Sequence, residues 1–267
     1  MPLDKSSPKA VTYTSYLKVD ELLDLQEPRS GDEHDEMLFI IIHQVYELWF
    51  KQILHEARLL DRVLAQNDLS KTLASLKRIL TILKTLVGQI DILETMTPIS
   101  FNSFRTRLDS ASGFQSYQFR ELEFMLGKKS RGMIEHHPEG STGRSKLEAL
   151  WDQPTIFDSF LRFLVANGYR VPDELLERDV TRPLEPSTEL QDTLLEVYRN
   201  DPMASLVCEL FVDLDEGLQE WRYRHVKMVE RTIGGKPGTG GSDGAGYLRT
   251  TLSQPLFPDL WAVRNRL

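Results

Sequence analysis

Apolar positions recur along most of this chain at intervals of three and four, the spacing that keeps one stripe on an α-helix. From Leu73 the run is Leu73, Leu76, Leu80, Leu83, Val87 and Ile90. Ile79, Ile82, Leu86 and Leu93 add a second stripe, so this helix is expected to be buried on two sides, with Pro98 ending it. A short helix is expected to follow from about Ser100, a residue suited to an N-cap. Met37 to about Val63 reads as a long helix, with Leu38, Ile41, Val45, Leu48 and Gln52 on one line and Asp35 or a neighbour as its start. Its opening run Leu-Phe-Ile-Ile-Ile would suit a short strand, but the helical spacing continues for several turns beyond it.

Pro154 to Asn167 reads as a helix closed by Gly168, and another covers Ser187 to Arg199. The last long helix runs from about Met203 to Ile233, roughly 45 Å at about 1.5 Å per residue. KKSRGMIEHHPEGSTGR, from Lys128 to Arg144, is polar and contains glycine, and reads as a loop or mobile insertion with His136 and His137 solvated. Strand alternation is almost absent and no internal repeat appears. The fold class is therefore all-α, a single helical-bundle domain without an internal linker.

Composition narrows the function. With 40% hydrophobic and 27% charged residues, the 267-residue chain has material for a large core. A net charge of −8 argues against a nucleic-acid partner, because phosphate binding needs a basic surface. The longest strongly apolar stretch, Met37 to Ile42, is far shorter than a membrane span. MPLDKSSPKAVTYTSYL at the start has no hydrophobic signal core, so the expectation is a cytoplasmic protein. Cys208 is the one cysteine, which excludes an internal disulfide or a thiolate cluster.

The chemistry rests on few residues. Phe211, Leu214, Leu218, Trp221, His225, Met228 and Thr232 form one stripe of the last helix, so His225 faces the way the core residues face. A buried imidazole there is either a packed, hydrogen-bonded core residue or a rigidly held metal or haem ligand. Of the six histidines, only His43 shares such an apolar context. Glu-x-x-His and His-Glu-x-x-His are both absent, which disfavours a di-iron carboxylate or zincin site. Phe39 and His43 lie four apart on one helix face, as do Phe101 and Arg105. An arginine so placed either binds a carboxylate by two parallel hydrogen bonds or joins a surface ion pair. GGKPGTGGSDGAG, from Gly234 to Gly246, lacks the Gly-Lys-Ser/Thr of a phosphate loop. It reads either as a flexible linker or as a loop closing over a ligand, with Thr239 and Ser242 as hydrogen-bonding side chains.

Six strings together resemble one family: YTSYL from Tyr13, HDEMLFIIIHQVYELWFKQ from His34, ETMTPISFNSFR from Glu94, ASGFQSYQFRELEF from Ala111, WRYRHVKMV from Trp221 and GTGGSDGAGYLR from Gly238. The chain is similar to the tryptophan 2,3-dioxygenase family along almost its whole length. That resemblance implies an all-helical homotetramer carrying haem b, ferrous in its active state. It implies insertion of both atoms of O2 across the indole C2–C3 bond of L-tryptophan, giving N-formyl-L-kynurenine, the first step of the kynurenine pathway. By motif position, His225 would be the proximal iron ligand and His43 the catalytic distal histidine near the indole N–H. Arg105 would bind the substrate carboxylate, and Thr239 the ammonium and carboxylate end. Phe39 and Phe101 would wall the indole, and Ser112 would lie near the haem. Tyr13, Tyr16 and Leu17, within an N-terminal segment of residues 1–30, would reach a neighbouring subunit's site. Phe101 stands where some members have tyrosine, which implies somewhat weaker substrate binding or more reliance on Arg105. The resemblance leaves room for a related haem oxygenase acting on substituted tryptophans or indoles, or a non-enzymatic haem or tryptophan sensor.

Overall fold

The computed structural model describes residues 11–109, 111–239 and 244–267, the side chain of Tyr247 excepted. All regular structure among them is helical. Two short helices, α1 (Tyr13–Leu17) and α2 (Val19–Leu23), bury none of their own residues. They lead into α3 (His34–Ala65) and α4 (Leu69–Leu93), which pack against each other. Next come α5 (Pro98–Arg105), α6 (Tyr117–Met125), α7 (Arg131–Glu135) and α8 (Thr142–Trp151). The chain continues through α9 (Ile156–Ala166), α10 (Asp173–Leu176), α11 (Thr188–Asn200) and the long α12 (Pro202–Ile233). Short helices α13 (Ala245–Thr250) and α14 (Pro258–Ala262) finish it. The frame is α4 packed between α3 and α12, with α6 and α9 against α3 and α11 against α12.

Local chemistry accounts for the boundaries. Asp201 accepts hydrogen bonds from the backbone N–H groups of Met203 and Ala204, and Pro202 occupies the first turn of α12, where its missing N–H costs nothing. Thr155 and Asp158 cap α9 reciprocally, and Gly168 just beyond its end takes a φ of +87° that side chains resist. Pro98 corrects the sequence-based expectation: it opens α5 instead of closing α4, which ends at Leu93. Thr97, not Ser100, is the cap; its hydroxyl accepts from the Ser100 N–H at 3.1 Å.

Both stripes foreseen on α4 are buried or half-buried. The line foreseen on α3 is not its buried face. Ile41 and Leu48 are 42% and 50% exposed, whereas Ile42, Tyr46, Phe50, Ile53, Ala57 and Leu60 pack inward. The two faces differ by about 100°, one residue's rotation. α3 is apolar on both, and the aromatic one is the face the chain covers. The expected loop at Lys128–Arg144 is also corrected, since it holds α7 and the start of α8. Gly143 serves close packing there: a Cβ on it would lie 2.9 Å from Cβ of Tyr117 and 3.0 Å from Nδ1 of His137. His137, expected in solvent, is consequently buried, while His136 is exposed.

The first half of α12 packs into a phenylalanine-rich core. Phe160 of α9 lies 4.8 Å from Phe211, and Phe257 lies 5.3 Å from Phe157, between ring centroids. Asp215, fully buried on α12, fastens the C-terminal segment. Its Oδ2 accepts from the N–H groups of Leu256 and Phe257 and from Nε1 of Trp261, and its Oδ1 accepts from Gln219. Asp215→Ala strands those buried donors, and each costs about 1–3 kcal/mol when unsatisfied. Urea unfolding should show a loss of about 3 kcal/mol or more; a loss within the ordinary surface range would show that water replaces the carboxyl group freely.

Candidate active site

Beyond the phenylalanine core the helices enclose a cavity. Phe39, His43, Tyr46 and Phe50 of α3 face it, with Leu93 of α4, Phe101 and Arg105 of α5, and Phe119 of α6. Trp221, His225, Val229 and Thr232 of α12 form the opposite wall, and Gly238, Thr239, Gly244 and Leu248 border it. Its unfilled space is about 1710 Å³, open mouth included. The wall is mostly apolar because the stripe that makes core in the first half of α12 continues into it. At Gly244 the chain turns with a φ of +57°, and a Cβ there would sit 2.8 Å from the Lys236 carbonyl oxygen. Only glycine passes so close.

His43 and His225 reach the cavity from different helices. Nδ1 of His43 lies 2.6 Å from the Phe39 carbonyl oxygen, four residues back on α3. A carbonyl only accepts, so Nδ1 carries the hydrogen and Nε2 of the neutral ring is left as an acceptor. Burial lowers the His43 pKa, against the opposing pull of that carbonyl and of Glu47. Phe39 packs on the His43 ring at 4.2 Å and on Phe101 at 5.8 Å. Burial pushes the His225 pKa down to about 4, helped by the positive charge near His43 and Arg120. The His225 ring makes no hydrogen bond among the described residues. It lies parallel to Trp221, with 5.2 Å between centroids and 3° between planes.

Arg105, half-buried at the rim, donates from Nη2 to the Pro237 carbonyl and pairs with no carboxylate among the described residues. Thr239 donates to the Ala111 carbonyl at 2.7 Å. The glycine-rich segment is thereby tied to the far wall at two points; Ser242 lies outside the described residues. Ser112 lines the cavity and caps the turn at Gly113–Gln115 by accepting from the Phe114 N–H. Tyr13, Tyr16 and Leu17 do not line this chain's cavity; they stand on α1, with Tyr13 77% and Tyr16 75% exposed.

One cluster escaped the sequence reading. Glu123 of α6 accepts from Arg120 at 2.5 Å and from Arg222 at 2.8 Å, and all three side chains are buried on the cavity wall. Among the described residues Arg120 Nε, Arg222 Nη1 and Lys128 Nζ have no acceptor. Burial, together with Arg222, brings the Lys128 pKa down to about 8. Two buried guanidinium groups thus share one carboxylate. The available signal was the hexamer Phe119-Arg-Glu-Leu-Glu-Phe124, whose charges alternate with core residues instead of forming one solvated face.

The model of the tryptophan 2,3-dioxygenase family matches residues 2–139 and 190–267. A tryptophan 2,3-dioxygenase of Herpetosiphon aurantiacus is 58% identical over 260 residues, 97% of this chain and 99% of that protein. One from Anaeromyxobacter sp. (strain K) is 58% identical over 258 residues, 97% of each chain. One from Caulobacter vibrioides is 44% identical over 261 residues, 96% of this chain and 98% of the relative. The chain belongs to the tryptophan 2,3-dioxygenase family. The matched stretches include α3 to α6 and α12, the helices that build the cavity of this family member. The unmatched 140–189 stretch holds α9, which contributes core instead.

The His225 imidazole makes a testable contribution to pH dependence. An unfolded chain protonates His225 near 6.5, whereas the folded chain, free of any bound group, does so only near 4. Between those values the unfolded state binds more protons, so stability falls as pH drops from about 6.5 towards about 4. His225→Leu removes that component. In urea unfolding of the unloaded chains, the stability of the parent relative to the variant should decline across that window; a difference independent of pH would contradict the assignment.

Proposed function

We propose that the cavity seats haem b between α3 and α12 and that the chain uses O2 to cleave the indole C2–C3 bond of L-tryptophan, giving N-formyl-L-kynurenine and opening the kynurenine pathway. The observation that carries this reading is a pair of neutral imidazoles, on separate rigid helices, facing one apolar cavity that has a carboxylate-free arginine at its rim. The donor set fits the cofactor. His225 offers a neutral nitrogen with no competing partner, as an iron ligand requires. Arg120 and Arg222 offer buried N–H groups without acceptors among the described residues, suited to the acidic side chains of a porphyrin edge. When bound, ferrous haem supplies the oxygen chemistry, and the protein supplies binding, orientation and a dry environment.

The chain's own residues orient the substrate. Nε2 of His43, left unprotonated by the bond at Nδ1, can accept from the indole N–H. Phe39 and Phe101 form a flat apolar wall for the ring. Arg105 meets the carboxylate; it presently donates to a neutral carbonyl, and an anionic acceptor makes a stronger bond. Thr239 brings a hydroxyl to the polar end of the amino acid, and Ser112 shapes the wall beside the haem. Tyr13, Tyr16 and Leu17 act in a neighbouring site of a homotetramer, a role supported by their exposure on a helix that buries nothing. Among the described residues no helix is long and apolar enough to cross a membrane, and we place the enzyme in the cytoplasm.

Three variants test the assignment. Arg105→Ala should raise KM for L-tryptophan about tenfold or more, the equivalent of about 1.4 kcal/mol or more of lost charge-assisted binding. Unchanged tryptophan kinetics would remove the carboxylate role. His225→Ala should purify without tightly bound haem, read from the Soret absorbance; a normal complement would refute ligation there. His43→Ala should retain haem and lose turnover, and failure of the parent to form N-formylkynurenine from L-tryptophan would refute the activity itself.

A further inference from the structure

A histidine that ligates a metal is ordinarily oriented by a hydrogen bond from its second ring nitrogen to a carboxylate, carbonyl or water. His225 has no such protein partner among the described residues. Torsion about its Cβ–Cγ bond is intrinsically soft, so α12 alone does not set the ring plane. Trp221 is the group that can. It stands one turn earlier on the same helix, with its indole 3° from parallel to the imidazole and 5.2 Å away. The indole is itself held, by Phe119 at 4.9 Å, Phe50 at 6.3 Å and Tyr46 at 6.4 Å between centroids. Tyr46 is anchored in turn by its hydroxyl, which donates to the Leu86 carbonyl at 2.7 Å.

We propose that Trp221 is a positioning residue that fixes the plane of the His225 imidazole by ring stacking. This rests on the haem reading above. The ring plane of that ligand is then set from one turn earlier on α12. Its orientation is transmitted through the aromatic set on α3 and α6 and not through a polar network.

The test compares Trp221→Phe, which keeps a stackable ring and loses the indole N–H, with Trp221→Leu, which loses both. Haem is loaded into each full-length chain; the rate of haem transfer to an excess of apomyoglobin and the iron–histidine stretching band of the ferrous form are recorded. An aromatic pair contributes the equivalent of about two- to tenfold in an equilibrium. Trp221→Leu should therefore release haem up to about tenfold faster and show a broadened or shifted band, while Trp221→Phe stays within about threefold of the parent with an unchanged band. Equal release from the two variants, or a leucine chain matching the parent in both readouts, would overturn the stacking role. If the leucine chain does not fold, the phenylalanine chain decides: a shifted band overturns the proposal and an unshifted one supports it. A parent chain that shows no iron–histidine band refutes the haem reading instead, so the two failures are told apart.

Discussion

The structure depends on keeping an apolar cavity open between helices that are otherwise closely packed. α3, α4 and α12 share a continuous hydrophobic core, and packing at that density normally leaves no void larger than a water molecule. Here the void is bounded by rings held against one another: Phe39 on Phe101 and Phe104, and Trp221 on Phe119 and Phe50. Such rings fill space in large rigid steps, so a gap between two sets of them does not collapse by small side-chain adjustments. Burial in that cavity favours the uncharged form of the His43 and His225 imidazoles.

Rigid anchoring elsewhere makes the cavity affordable. The far end of α12 is buried among phenylalanines and tied by Asp215 to the C-terminal segment, so the helix arrives at His225 already fixed in position and rotation. α4 ends at Leu93, and the chain turns through Thr97 to bring α5, with Phe101 and Arg105, across the mouth. The polar contacts cluster at that rim, where Arg105 and Thr239 reach backbone carbonyls.

The long helices were legible because their apolar spacing is redundant over many turns. His43, Phe39 and His225 were legible as candidates because they stand on such helices among apolar neighbours, and Phe101 and Arg105 because they lie four apart on the short α5. Their convergence on one cavity was not, since periodicity gives a face and not the partner it meets. α3 shows the limit most clearly: with two apolar faces a residue apart, the pattern could not say which one this chain covers. The stretch around α7 was misread because its glycines resembled loop punctuation, while Gly143 in fact lets His137 and Tyr117 pack together. The Arg120–Glu123–Arg222 cluster joins residues 99 positions apart, beyond the reach of any local pattern.

That cluster also bears on how the protein matures. One carboxylate shared by two buried guanidinium groups, with an ammonium close by, leaves the interior with unneutralised cationic charge. Desolvated charge of one sign opposes the compact state, and an anionic guest that binds only the folded chain relieves the opposition by mass action.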